Sequence, residues 1–106
     1  MYNERDVLKR VRGLSQTRLQ MWVREGWVSA VAGEQGMAFA DIDVARLQLI
    51  CTLQDEMEVD ADLLPTLLSL LDQVYGLRRD LRRMTRAVAA QPEEVRNRIL
   101  RTLETL

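Results

Sequence analysis

Between residues 67 and 88, seven apolar residues (Leu67, Leu70, Val74, Leu77, Leu81, Met84 and Val88) recur in alternating steps of three and four. That spacing winds one apolar seam along an α-helix and matches no strand period. It predicts a long helix over about residues 62 to 89, with Pro65 in the first turn, where a backbone N–H has no partner to lose. A seam of this length needs a covering surface. The last helix, expected from Pro92 with Val95, Ile99, Leu103 and Leu106 along one side, is too short to cover it all. A symmetric homodimer through the seam is therefore expected. Arg78, Arg79, Arg82, Arg83 and Arg86 flank the seam with only Asp80 opposing them. Their stems suit the flank of a coiled coil, and no interleaved aromatics offer stacking surfaces for bases.

Length and composition limit the remainder. A chain of 106 residues suits one compact unit, read as residues 1–60 followed by a helical dimerisation region at 61–106. Apolar residues make up 47% of the chain but aromatics only 5%, so aliphatic side chains must fill the core, and five Gly with two Pro favour a mostly α fold. The net charge of −1 lacks the basic excess of a small DNA-binding domain.

The chemistry of an enzyme is missing. There is no histidine to serve as a general base, and one cysteine builds neither a disulfide nor a zinc site. No Gly-rich phosphate loop occurs, and the acidic run from Asp55 to Asp62 lacks the glycine-punctuated spacing of a calcium loop. The expectation is no catalysis, no cofactor and no metal. Cys51, within the apolar stretch Leu47 to Leu53, reads as a small buried hydrophobe. No apolar run is long enough to span a membrane and the polar start is no signal peptide, so cytoplasmic residence is expected.

Local signals order the first half. Asn3 with Asp6 forms a capping pair for a first helix carrying Val7, Leu8 and Val11, which Gly13 ends. Ser15 caps a second helix with Leu19, Trp22 and Val23 inward, closed by a left-handed Gly26. Residues 27–31 and 37–39 read as two β-segments of a hairpin wing around a turn at 32–36. Asp41 or Asp43 opens a third helix, with Val44, Leu47, Ile50, Cys51 and Met57 at helical spacing.

From Ser15 to Val28 this outline resembles the second helix and wing start of the MerR-type winged helix-turn-helix, whose pattern runs S-x-x-T-L-R-Y-Y-E-x-x-G-L-I. Ser15, Leu19, Gly26 and Phe39 before Ala40-Asp41 fall in step. Where those relatives carry a phosphate-gripping arginine and tyrosine, this chain has Gln20 and Met21. The wing reads Gly36-Met37-Ala38-Phe39 in place of G-Y-R-x-Y, one residue shorter and without its arginine. The scaffold is kept while its grip on phosphate is lost, which favours a protein partner.

Within that fold the chain is similar to the CbpM-type chaperone modulators. The likeness rests on Phe39-Ala-Asp41, on the stretch Leu53 to Asp60, and on Leu68 to Asp72 followed by the arginine-rich helix; the helix from Pro92 onward is an addition. It implies a small helical dimer that binds the J-domain of a DnaJ-like co-chaperone (CbpA), blocks its stimulation of the Hsp70 ATPase and weakens its DNA binding. Such an inhibitor should offer carboxylates to a basic J-domain helix, and residues 41–62 hold seven acidic side chains against Arg46 alone. Asp55, Glu56 and Glu58 are the favoured partner-binding residues, because acid near a helix C-terminus is otherwise unfavourable. They are expected to face solvent beside buried Leu53 and Met57. Arg24 and Trp27 are the alternative partner surface. The competing expectation is a MerR-like DNA-binding transcriptional regulator, with Lys9, Arg18 and Arg24 on phosphates.

Overall fold

A computed structural model describes residues 1–106. The chain opens with a two-residue strand β1 (Tyr2–Asn3), then helix α1 (Glu4–Arg10). Asn3 and Asp6 cap α1 reciprocally: the Asp6 N–H donates to Asn3 Oδ1 at 2.8 Å and the Asn3 N–H to Asp6 Oδ2 at 3.3 Å. Helix α2 (Gln16–Arg24) starts at Ser15, whose hydroxyl accepts from the Arg18 N–H at 3.1 Å. Gly26 follows α2 at φ +78, the left-handed conformation that a Cβ penalises.

The wing is smaller than the sequence suggests. Strands β2 (Val31–Gly33) and β3 (Gly36–Phe39) pair antiparallel, with Val31 opposite Ala38 and Gly33 opposite Gly36. Residues 27–30 are not a strand. β3 has only four residues and pairs with 31–33 on that side, while Val28 turns inward to 3% exposure. On its other edge β3 pairs with β1, Tyr2 opposite Phe39, giving the order β1-β3-β2. A two-residue strand gives no alternation to read, so β1 goes unforeseen.

Helix α3 (Asp41–Asp55) begins at Asp41. Asp43 is buried at its start, accepting from the Ala40 N–H at 3.0 Å and the Ser29 N–H at 3.3 Å, which ties the wing approach to the helix. Leu47, Ile50 and Cys51 are buried as their spacing predicts, but α3 ends at Asp55, so Met57 leaves the helical face and is 64% exposed. A short 3-10 turn (Ala61–Leu63) leads into α4 (Leu64–Ala89), and Pro92 precedes α5 (Glu93–Glu104).

The chain divides into two compact units, Met1–Leu68 and Ser69–Leu106. The first holds the buried core: Trp22, Phe39, Leu19, Leu47 and Ile50 are its largest enclosed side chains, and Leu64 and Leu68 at the start of α4 belong to it. The second consists of the rest of α4 and of α5. It has no buried residue; Val88, Val95 and Arg96 are half-buried.

Candidate interaction surface

Four places carry the residues on which a function could rest: the outer face of α2, the wing tip, the turn after α3 and the apolar seam. On α2, Leu19 and Trp22 point into the core, leaving Gln20, Met21 and Arg24 exposed. Trp27 is half-buried: its ring stacks on Trp22 at 6.4 Å between centroids and its carbonyl accepts from Arg46 Nε at 2.7 Å. It therefore works at the edge of the core, and only Arg24 of that pair stands free on the surface.

Arg18 is not free for phosphate. Its guanidinium donates in a fork to Asp55, Nη2 to Oδ1 at 2.7 Å and Nη1 to Oδ2 at 2.8 Å. Nη1 also reaches the Gly13 carbonyl at 3.1 Å, and the group lies 5.4 Å over the Trp22 ring. The turn between α1 and α2 closes so tightly here that a Cβ on Gly13, which sits at φ +86, would stand 3.0 Å from Asp55 Oδ2. Arg18 holds the Asp55 carboxyl below its usual range, and Asp55 raises the Arg18 pKa in return. The bidentate geometry is the strong one for a guanidinium and a carboxylate. The two residues are 37 apart with no periodic relation, so nothing in the sequence announces the pair.

Of the seven acidic residues between 41 and 62, Asp43 is buried as a cap and Asp55 is engaged by Arg18. Asp41, Glu56, Glu58, Asp60 and Asp62 remain on the surface. Glu58 adopts φ +53, and the next N–H, from Val59, returns to the Leu53 carbonyl at 2.8 Å. A helix end of this kind ordinarily takes glycine. The wing tip carries Glu34 and Gln35, and Gln35 accepts from Asn3 Nδ2 at 3.4 Å.

The seam residues lie in the open. Leu67 is 37% exposed, Leu70 52%, Val74 43%, Leu77 68%, Leu81 64% and Met84 66%, while Val88 is half-buried.

A helix capped at Asn3, a glycine turn, a second helix capped at Ser15 and a small wing lie consecutively in the chain. A family model for the MerR HTH family regulatory proteins matches residues 5–58. The chain belongs to the MerR helix-turn-helix family. It is accordingly a regulatory protein, on a mostly α scaffold with a three-stranded wing sheet. No curated protein and no solved structure matches the chain significantly. No helix is long and apolar enough to cross a membrane.

On this MerR scaffold the charge is unevenly spread. Residues 1–68 contain seven basic and eleven acidic side chains, a net −4, whereas residues 69–106 contain eight basic and five acidic, a net +3. Buried Cys51 lies 4.0 Å from Arg18 Nη1, and burial pushes its thiol up. It fills space as the sequence suggests.

Proposed function

We propose that this MerR-family chain is a non-enzymatic, cofactor-free regulatory binding protein of the cytoplasm. Its homodimer takes the J-domain of a DnaJ-like co-chaperone and prevents that domain from stimulating Hsp70. The observation carrying this reading is electrostatic: the helix-turn-helix unit has net charge −4, its Arg18 is committed to Asp55, and its wing tip presents Glu34. Such a surface repels phosphate and suits a basic protein helix. Glu56 and Glu58 form the centre of the proposed contact, with Asp55 at its edge and exposed Met57 supplying apolar area. Arg24 and Trp27 lie on the alternative face. The resemblance to CbpM-type modulators supplies the identity of the partner.

The homodimer forms through the seam from Leu67 to Val88, whose exposure leaves an apolar stripe for a second copy to cover. Calorimetry of Glu56→Lys/Glu58→Lys against the J-domain of the source organism's co-chaperone tests the site, with circular dichroism as the folding control. Affinity should fall, and raised salt should weaken the wild-type complex without abolishing it. Unchanged affinity in a folded variant moves the site to Arg24 and Trp27. Absence of binding by the wild type rejects the reading.

The DNA-reading alternative keeps one specific support, the exposed Lys9 and Arg24 on the two helices of the motif. Nanomolar binding to a defined operator in physiological salt, seen by gel shift, would establish it instead.

A further inference from the structure

Helix geometry turns the arginines of α4 away from the seam. At about 100° per residue, the seven seam positions fall in one arc, and Tyr75, Arg79, Arg82 and Arg86 fall in another centred about 140° from it. Arg78 and Arg83 border this second arc. All five arginines are exposed, and Tyr75 is 43% exposed. None of the five forms an ion pair within the chain, and Asp80 stands off their arc. From Tyr75 to Arg86 this makes a basic stripe about 16 Å long, closed at its start by Asp72.

Tyr75 lies outside the arginine run in the chain, yet one turn before Arg79 on the same face. Arg79 leans back toward it over Gly76: its Nη2 lies 3.9 Å from where a Cβ on Gly76 would stand. The glycine leaves the guanidinium room beside the turn that carries the tyrosine.

We propose that this stripe binds single-stranded nucleic acid, its arginines taking phosphates and Tyr75 a base. The site lies apart from the helix-turn-helix and is additional to the co-chaperone contact proposed above. All eight basic residues after Leu68 are arginines, whose planar forks match phosphate oxygens as lysine does not. An exposed tyrosine among such charges offers a ring on which an unpaired base stacks, whereas the bases of a duplex already stack on one another. No Asn or Gln lies between Tyr75 and Arg86 to read a base edge, so binding is independent of sequence. A membrane surface fits less well: with the seam in lipid, the stripe would face water, away from the headgroups.

Fluorescence anisotropy of the full chain with a labelled thymidine oligomer of about 20 nucleotides tests the site. Binding should weaken as salt rises. Arg79→Gln/Arg82→Gln/Arg86→Gln should lower affinity roughly tenfold or more and reduce the slope of log affinity against log salt by about two. Tyr75→Ala should cost about tenfold with the slope unchanged, and Tyr75→Phe should bind like the wild type. Lys9→Gln/Arg24→Gln should change neither affinity nor slope. All these side chains are exposed, so circular dichroism should show the wild-type fold.

No binding by the wild type at low salt overturns the proposal. Binding that survives the α4 variants and falls with Lys9 and Arg24 also overturns it, and returns the contact to the helix-turn-helix. A duplex of equal length bound as tightly, or a Tyr75→Ala variant bound as well as the wild type, overturns the single-strand reading. Polyglutamate competing as well as the oligonucleotide gives the stripe to an acidic protein instead. None of the α4 variants touches Glu56 or Glu58, so the proposed co-chaperone contact stands or falls separately.

Discussion

The two units of the chain solve opposite problems. All eleven buried apolar side chains lie in residues 1–68, and ten of the seventeen exposed large hydrophobics lie in residues 69–106. Both stretches are rich in aliphatic residues, so composition does not separate them. The first unit brings apolar positions together from four elements, α1, α2, α3 and the sheet, around Trp22 and Phe39. The second strings its positions along helices and buries none of them fully. One is a finished fold, and the other is what we propose to be half of an interface.

The largest expected effect tests that contrast directly. Leu77→Glu/Leu81→Glu puts charge into the proposed seam and should weaken dimerisation by about a thousandfold, ~4 kcal/mol, in sedimentation equilibrium. If the wild type is a monomer at tens of micromolar, roughly where a ~−7 kcal/mol dimer persists, the contrast loses its meaning. Next comes Leu47→Ala in the core of the first unit, expected to cost about 2–5 kcal/mol in chemical denaturation. Leu77→Ala, the same truncation in the second unit, should instead give a loss that shrinks on dilution, because only the proposed dimer would bury a side chain that is 68% exposed.

Two smaller effects sharpen the picture of the first unit. Arg18 holds the Asp55 carboxyl below its ordinary value of 3.8. A depressed carboxyl pKa stabilises the fold above the unfolded value, and that contribution is lost as pH falls through the folded one. Asp55→Asn should therefore lower stability at neutral pH and flatten its decline below about pH 4, followed by circular dichroism. A variant with the wild-type acid limb would show that the pair adds nothing. The smallest change is Glu58→Gly, which removes the penalty of a side chain at φ +53 and should raise stability by up to about 1 kcal/mol in thermal melts. If Glu58 contacts the J-domain, the same variant binds it more weakly.

What the sequence made legible follows from the range of each interaction. Caps at Asn3 and Ser15, the left-handed Gly26, the start of α3 at Asp41 and the long seam depend on neighbours a turn or two away, so spacing alone exposes them. Strand β1, the inward turn of Val28 and the Arg18–Asp55 fork depend on partners 14 to 37 residues distant or on strands too short to alternate. Asp55 shows the consequence for the candidate site. It reads as a solvent-facing acid, yet both its oxygens serve the fold, which shifts the weight of the proposed surface to Glu56 and Glu58.

The pairing of Tyr2 with Phe39 has a bearing on how the chain is made. Tyr2 and Asn3 have no strand partner until β3 exists, the Arg18 fork waits for Asp55, and the core is sealed only by Leu64 and Leu68. At about 5–20 residues per second, that interval lasts several seconds. The seam follows that unit in the chain, so it emerges tethered to a unit whose own apolar residues are all available to fold. In this order the apolar residues of the first unit can be covered before the exposed seam, which we propose a second copy covers, has emerged.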